Sequence, residues 1–328
     1  MRRTPVLTLI WGLMFVLLLW GCTSEQGEGA RDFILTVRLA SEPDNLNPTH
    51  SRSTYATPIE GLIMYPLAEA DPYTFELTPL IVKSLARTEQ IVGGPHDGGM
   101  IFHYEIRDEA QWDDGTPVTG HDYAFTVKVA LNPLVDAAAW RGFLSFIKDV
   151  TIDPEDPRKF SVTVPEPYML AEVVTCNFNI LPKHVYDPDG FLDDVALSDL
   201  AVEETAASLA ESDSNLTRFA EAFASGGFNR DTVQGCGPYR LVEWETGQHL
   251  ILERKDNWWG DRVADKPRLM EAYPQRIVYR IIPDETSALS ALKDGTVDFM
   301  AEVSPRNFLD MQADSQWAER FAFHSPAV

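Results

Sequence analysis

Alternating apolar and polar residues predict strands at several places along the chain. The first is residues 33–39, where one face carries Phe33, Leu35, Val37 and Leu39. Similar patterns predict strands at residues 100–107, 160–164, 239–243, 250–254, 277–282 and 297–300. A turn at residues 246–248 joins two of these strands into a hairpin.

Helical spacing of apolar residues predicts helices between the strands. Thr119 and Asp122 form a capping-box pattern before one helix. Asp284 as N-cap and Gly295 as stop enclose another helix between two strands, which predicts a right-handed parallel crossover. Residues 193–231 are rich in Ala, Ser, Asp and Glu, and we expect solvated surface helices there, in the region least likely to touch ligand. The overall prediction is a mixed α/β protein.

The N-terminal pattern is that of a bacterial secretion signal. Arg2 and Arg3 precede an apolar run at residues 6–20, and small Gly21 comes just before Cys22. This junction resembles the lipobox of bacterial lipoproteins, in which the cysteine is acylated and the peptide is cut before it. Trp20 is bulkier than that pattern usually allows.

The signal divides the start of the chain into two parts. Residues 1–21 are predicted to be a signal peptide, and residues 22–31 a flexible tether rich in Gly, Glu and Ser. Cys22 would be the lipid anchor, which holds the protein on a membrane without spanning it. An uncleaved membrane anchor is the alternative, although the apolar run falls short of the ~18 to 20 residues of a spanning helix. Both interpretations place the rest of the chain outside the cytoplasm.

Composition favours a globular body and excludes one class of partner. The chain is 45% hydrophobic, 11% aromatic and 23% charged, which is enough apolar material for a substantial core. Its 27 basic and 50 acidic residues give a net charge of -23. Nucleic acid is not an expected partner, because phosphate binding draws on clusters of Lys and Arg.

Neither the cysteines nor the histidines predict a metal site or a cofactor. Cys176 and Cys236 could pair in an exported protein or remain buried free thiols, and the sequence leaves both open. The seven histidines lack metal-binding spacings. No phosphate-binding loop or dinucleotide fingerprint occurs, so ATP binding would belong to another subunit.

Five groups of residues carry a resemblance to a known family. They are Ser41-Glu42-Pro43 to Leu46-Asn47-Pro48; Glu60-Gly61-Leu62 with residues 80–85; residues 102–107 with Trp112-Asp113-Asp114-Gly115-Thr116-Pro117; Gly235-Cys236-Gly237-Pro238-Tyr239; and Ile281-Ile282-Pro283-Asp284-Glu285 with residues 292–298. In this order and spacing they resemble the extracytoplasmic solute-binding proteins of the peptide and nickel class of ABC importers.

The resemblance implies an α/β, two-lobed periplasmic-binding-protein-like fold of the class II type with an extra subdomain. Residues 32–55 and 177–273 would form lobe one, with residues 56–176 as its appended subdomain. Residues 274–328 would begin lobe two, which is incomplete in this sequence. A fragment and a natural truncation both stay open.

The implied function is that of a lipid-anchored receptor. It would bind short peptides, or a similar small solute, and deliver them to a membrane permease driven by separate ATPase subunits. A peptide could bind as an added strand along residues 40–46, with Glu42 pairing with a cationic group. The candidate ligand-binding residues are Ser41, Glu42, Pro43, Asn45, Trp140, Cys236, Gly237 and Tyr239.

Each of these residues also has a purely structural interpretation. Glu42 could be a solvated turn residue, the loop at Cys236 and Gly237 a tight turn before a hairpin, and Trp140 part of the core. The resemblance implies no catalytic residues. A secreted hydrolase would use the carboxylates of Glu105, Asp113 and Asp114. Adjacent acids beside Gly and Pro, however, are more typical of a structural turn than of a catalytic pair. A truncated lipoprotein that binds nothing is the other alternative.

Overall fold

The strand patterns of the sequence are realised in three sheets. The computed structural model describes residues 33–325 except 95, 167 and 226, so Cys22, the predicted signal peptide and the predicted tether lie outside the described residues. The strands are β1 (Ile34–Leu39), β2 (Ala68–Ala70), β3 (Leu77–Pro79), β4 (Arg87–Gln90), β5 (Met100–Glu105), β6 (Asp149–Ile152), β7 (Lys159–Val164), β8 (Tyr239–Glu245), β9 (His249–Arg254), β10 (Arg276–Ile281) and β11 (Phe299–Met300).

Short helices connect and cover the sheets. They are α1 (Thr57–Ile63), α2 (Gly120–Leu131), α3 (Ala138–Leu144), α4 (Ala171–Cys176), α5 (Lys183–Tyr186), α6 (Leu197–Leu200), α7 (Glu203–Ser212), α8 (Ser214–Ala224), α9 (Glu285–Asp294), α10 (Pro305–Ala313) and α11 (Ser315–Ala318). A π-helical turn lies at Gly227–Asp231, and 3₁₀ turns lie at Trp259–Arg262 and Arg268–Met270. In the described part of the chain, no helix combines the length and apolar character needed to cross a membrane.

The largest sheet has the order β11-β1-β10-β9-β8. Strand β1 lies between β10 and β11 and is parallel to both. This confirms the prediction that β10 and β11, the strands before and after α9, run parallel to each other. Asp284 caps α9 by accepting a hydrogen bond from the Ser287 N–H, and Gly295 ends it in the left-handed conformation, as predicted. Strands β10, β9 and β8 follow one another in antiparallel order.

The position of β10 bears on the proposed division into lobes. The sequence places residues 274–328 at the start of lobe two, but β10 is hydrogen-bonded along its whole length to β1, the first strand of lobe one. The lobe boundaries stay predictions, and this pairing favours a boundary later than residue 300. A small cluster of buried side chains, Leu292, Val297 and Met311, lies apart from the main core.

A second sheet, β4-β5-β7-β6, lies within the predicted subdomain at residues 56–176. Its strands are antiparallel, and Phe102, Tyr104 and Phe160 are buried on it. The ring of Tyr123, from α2, packs 4.9 Å from Phe160. The capping box of Thr119 and Asp122 is present at the start of α2, as the sequence predicts.

The prediction of merely solvated helices in residues 193–231 is wrong for α8. Helix α8 buries Leu216, Phe219 and Phe223, each with 1% or less of its surface exposed. These side chains recur at helical spacing and form an apolar stripe that packs into the main core. The high polar content of the region hid this stripe, because the stripe occupies only one face of a short helix.

Candidate functional site

The parallel strands β1, β10 and β11 end at the same edge of the large sheet. In open α/β sheets, ligands bind in the crevice outside the carboxyl ends of such strands. The segments that leave this edge are residues 40–46 after β1, residues 282–284 after β10 and residues 301–304 after β11. The side chains at this edge therefore form the candidate site.

Arg38 ties the three strand ends together. It is only 6% exposed, and its guanidinium donates to the carbonyl oxygens of Ile282 at 2.9 Å and Pro283 at 3.1 Å. Its Nη1 also lies 3.8 Å from the carboxylate of Glu302, which accepts a hydrogen bond of 3.1 Å from the Tyr55 hydroxyl. The sequence does not predict this network, because its partners lie on distant segments and β1 alternation alone does not distinguish a buried arginine from an exposed one.

Asp44 organises the segment that follows β1. Its carboxylate accepts hydrogen bonds from the Ser51 hydroxyl at 2.7 Å, the Arg52 N–H at 2.9 Å and the Asn45 N–H at 2.8 Å. Burial raises the pKa of Asp44, but these hydrogen bonds outweigh burial and hold the pKa below its ordinary value. The segment is therefore a folded loop around an ionised carboxylate, as its Pro and Asx content predicts.

Glu42 is bound by the hairpin of β8 and β9. Its carboxylate accepts hydrogen bonds from the Trp244 indole at 2.5 Å and from the Gly247 N–H at 2.9 Å. The Arg230 guanidinium lies 4.5 Å from the centre of the Trp244 ring and donates to the Trp244 carbonyl at 2.6 Å. Glu42 is therefore more than a solvated turn residue, since two neutral donors fix its carboxylate.

A cavity of about 380 Å³ lies beside Glu42, at the carboxyl edge of the large sheet. It is lined by Glu42, Pro43, Asp44, Asn45, Asn229, Arg230, Trp244 and Thr246. Three of the candidate residues from the sequence, Glu42, Pro43 and Asn45, therefore border one cavity, and Ser41 is exposed beside them.

The sequence marked residues 193–231 as the region least likely to touch ligand, but Asn229 and Arg230 border the cavity beside Glu42. Asn229 accepts a hydrogen bond of 2.9 Å from the Leu46 N–H, and its side chain lies 3.2 Å from the His50 imidazole. The π-helical turn after α8 brings both residues to the cavity. Composition could not reveal this, because only a few residues at the end of a polar region are involved.

Trp140 supports the chain just after residues 40–46. Its indole donates a hydrogen bond of 2.7 Å to the Pro48 carbonyl, and its ring packs edge-to-face on Phe143 and Phe178. The side chain is partly buried against the main core. This geometry favours the core interpretation of Trp140, whose indole also supports the chain just after residues 40–46.

Cys236 and Tyr239 lie inside the protein, and each has 1% of its surface exposed. The Cys236 carbonyl accepts hydrogen bonds from the indoles of Trp258 at 2.9 Å and Trp259 at 2.6 Å. The Tyr239 hydroxyl donates to the Pro274 carbonyl at 2.9 Å. These contacts favour the structural interpretation of the loop over direct ligand contact by either side chain.

Cys176 and Cys236 are both buried free thiols rather than a disulfide. Burial raises the pKa of each thiol to about 12, so both remain protonated and unreactive at neutral pH. Gly237 donates its N–H to the Ile63 carbonyl at 2.8 Å, which packs the loop directly against α1. The Gly-Cys-Gly loop is therefore a close contact between a helix end and a hairpin.

Each of the three carboxylates considered for a hydrolase contacts a different basic side chain. The pairs are Glu105 with Lys83 at 2.7 Å, Asp113 with Lys255 at 2.6 Å and Asp114 with His184 at 2.9 Å. Asp114 also accepts hydrogen bonds from the N–H and the hydroxyl of Thr116, which is the geometry of a turn. The arrangement favours the turn interpretation of this motif.

One group of side chains in the described residues could hold a metal ion. Glu243, Glu245 and His249 lie on the hairpin of β8 and β9, and their ligand atoms lie within 4.8 Å of one another. Both glutamates are exposed, and the His249 Nε2 lies 3.0 Å from Glu243. The contacts of His249 with the two exposed glutamates account for the cluster.

Comparisons with known proteins agree with the fold predicted from the motifs. Residues 76–320, more than half of the chain, match the family model described as bacterial extracellular solute-binding proteins, family 5 middle. The oligopeptide-binding protein AppA of Bacillus subtilis is 24% identical over 310 residues, which cover 91% of this chain and 48% of AppA. The chain thus spans about half the length of this relative.

Solved structures show the same likeness. The oligopeptide-binding protein from Thermus thermophilus, complexed with a pentapeptide, matches with a TM-score of 0.61 and 21% identity over 88% of this chain and 47% of its own. NikZ from Campylobacter jejuni, in complex with Ni(L-His), matches with a TM-score of 0.59 and 21% identity over 86% and 45%. These matches confirm the predicted two-lobed α/β fold, of which the chain covers about half.

Proposed function

Because the chain belongs to family 5 of the bacterial extracellular solute-binding proteins, we propose that it is a receptor for short peptides or a similar small solute. The receptor would work outside the cytoplasm and deliver its ligand to a membrane permease driven by separate ATPase subunits. Its relative AppA is named for oligopeptide binding, which supports peptides as the first ligands to test.

The observation that carries this proposal is the cavity at the carboxyl edge of the large sheet. Glu42, Pro43 and Asn45 border it, in a segment that leaves a central strand. An extended peptide placed along residues 40–46 would bind through main-chain hydrogen bonds, which tolerate many side chains. The Glu42 carboxylate accepts hydrogen bonds from two neutral donors, and it would pair with a cationic group of the solute.

The other candidate residues have supporting roles in this proposal. Trp140 would hold the chain just after the segment through Pro48, and Cys236, Gly237 and Tyr239 would fix the hairpin that carries Trp244. The second lobe, which residues 274–328 would begin, would close over the cavity by hinge bending. Residues 56–176 would form the subdomain appended to lobe one.

A mixed library of short peptides is expected to raise the melting temperature of the full chain. A ligand at about 100 times its Kd stabilises the native state by about 2.7 kcal/mol, or about 5 °C for a protein of this size. Glu42→Gln is expected to weaken binding of lysine-rich peptides about tenfold, and Glu319→Gln, at an exposed carboxylate, serves as the control. Unchanged melting with every peptide at millimolar concentration would show that the proposed function is wrong.

We further propose that the thiol of Cys22 carries the lipid that anchors the protein to a bacterial membrane. Cys22→Ala is expected to move the protein from the membrane fraction to the soluble fraction, because a protein without an acyl chain loses its insertion energy of about 0.8 kcal/mol per buried CH₂. Intact mass measures the acyl chains directly. Cys176→Ala is the matched control and is expected to leave the protein on the membrane. A membrane-bound Cys22→Ala protein of unprocessed mass would support the uncleaved anchor instead.

A further inference from the structure

The π-helical turn at Gly227–Asp231 contacts both segments that meet at Glu42. On one side, the Asn229 carbonyl accepts a hydrogen bond of 2.9 Å from the Leu46 N–H, in the loop that follows β1. On the other side, Arg230 contacts the turn between β8 and β9. Turns of this type are rare and often lie at functional sites. The π-helical turn therefore joins the loop and the hairpin, which lie more than 200 residues apart along the chain.

Three contacts bind the Arg230 guanidinium to the hairpin. Its Nη1 donates to the Thr246 hydroxyl at 2.8 Å, and its Nη2 donates to the Trp244 carbonyl at 2.6 Å. The guanidinium also lies over the Trp244 ring, 4.5 Å from the ring centre. Of the eight residues that line the cavity, Arg230 is the only cation. Because both of its terminal nitrogens donate to the hairpin, the structure favours a role in holding the hairpin over direct contact with a solute.

The part of the hairpin that Arg230 holds is the part that binds Glu42. The Trp244 indole and the Gly247 N–H donate to different oxygens of the Glu42 carboxylate. Arg230 is bonded to Trp244 itself and to Thr246, directly before Gly247. A cation over a ring face attracts the π electrons of the ring, and this polarisation strengthens donation by the indole N–H. Arg230 therefore fixes both donors to Glu42 and strengthens one of them.

We propose that Arg230 is a positioning residue, which fixes the Glu42 carboxylate at the border of the cavity and thereby sets a preference for solutes with a cationic group. Glu42 is half-buried, and a carboxylate has about four acceptor positions, so the two bonds from the hairpin leave room for an ammonium group. The preference for cationic solutes rests on the proposed function, whereas the positioning of Glu42 does not.

Nuclear magnetic resonance of the full chain with isotope-labelled tryptophan tests the positioning role without any solute. The Trp244 indole proton, assigned with Trp244→Phe, is expected at low field because it is donated to a carboxylate. Arg230→Gln is expected to move this signal to higher field and to speed its exchange with water about fivefold. Glu42→Gln should move it in the same direction. Arg230→Lys should restore part of the shift, because lysine keeps the cation but lacks the planar fork.

Arg240→Gln is the matched control, and Thr246→Val is the second test. Arg240 lies on β8 of the same hairpin, pairs with Glu253 at 3.4 Å and does not line the cavity, so its loss should leave the Trp244 signal in place. Thr246→Val removes one bond of Arg230 at an exposed position and should give a smaller shift in the same direction, even if Arg230→Gln folds poorly. The positioning role is overturned if neither variant moves the signal, or if Arg240→Gln moves it as far.

A lysine-containing peptide and its Nε-acetylated form, which differ by one charge, test the preference for cationic solutes. Arg230→Gln is expected to weaken binding of the lysine peptide about fivefold and of the acetylated peptide less than about twofold. An equal loss for both peptides, or a larger loss for the acetylated one, would overturn the preference. If neither peptide binds the unchanged protein while Arg230→Gln still moves the Trp244 signal, the proposed function is wrong and the positioning of Glu42 by Arg230 stands.

Discussion

Gly235→Ala is expected to destabilise the protein by about 3 kcal/mol or more, because the new methyl group has no space. A Cβ at this position would lie 2.3 Å from the Ile63 carbonyl oxygen and 2.8 Å from the Met64 Cα. Both are backbone atoms at the end of α1, so no side-chain rotation relieves the overlap. Urea unfolding monitored by tryptophan fluorescence measures the change in the free energy of unfolding.

Gly61→Ala is the matched control for this substitution. Gly61 lies in α1 itself, and a Cβ there would meet no atom within 4 Å. Alanine is the better helix former, so this variant is expected to be up to about 1 kcal/mol more stable than the unchanged protein. If Gly235→Ala proves as stable as Gly61→Ala, the close packing of the Gly-Cys-Gly loop on α1 is wrong.

Lys255→Met is expected to have the second large effect, about 2–4 kcal/mol of destabilisation, since it leaves two partners without a donor. Lys255 is 8% exposed, and its Nζ lies 2.6 Å from the Asp113 carboxylate and 2.7 Å from the Gly235 carbonyl. Burial lowers the pKa of Lys255, and Asp113 partly offsets this. The side chain of Asp113 is 35% exposed, which places the expected cost below that of a fully buried pair.

A double-mutant cycle separates this ion pair from other effects. Lys255→Met combined with Asp113→Asn is expected to cost less than the sum of the single variants, because the second change removes the unpaired charge. Lys266→Met, which breaks the more exposed pair with Asp261, should cost less than about 1 kcal/mol. Additive costs in the cycle would contradict a direct interaction between Lys255 and Asp113.

Local signals account for the parts of the fold that could be predicted well from the sequence. The capping box at Thr119, the N-cap at Asp284 and the stop at Gly295 each depend on residues a few positions apart, and all three are present. Sheet membership depends on partners far along the chain. Alternation marked β10 as a strand but could not reveal that it pairs with β1, and the predicted lobe boundary therefore lies before it.

At the candidate site, too, local signals could be predicted from the sequence and contacts between distant segments could not. The motif around Glu42 predicted a segment of which Glu42, Pro43 and Asn45 border one cavity. Their partners Trp244 and Gly247 lie more than 200 residues later, and no local pattern joins the two segments. Burial was equally hidden at Tyr239, because a tyrosine at the start of a strand is compatible with an exposed or a buried hydroxyl.

The central position of β1 also determines when the large sheet can form. Ile34 at the start of β1 pairs with Arg276, and Val37 pairs with Phe299, so the first strand has no neighbour in its sheet until late segments of the chain are present. Such distant pairing makes folding slow, because the intervening chain must be ordered before the contacts form. During synthesis β1 therefore stays without a strand partner until residues 276–300 have been made, whereas the sheet of β4 to β7 can already pair within residues 87–164.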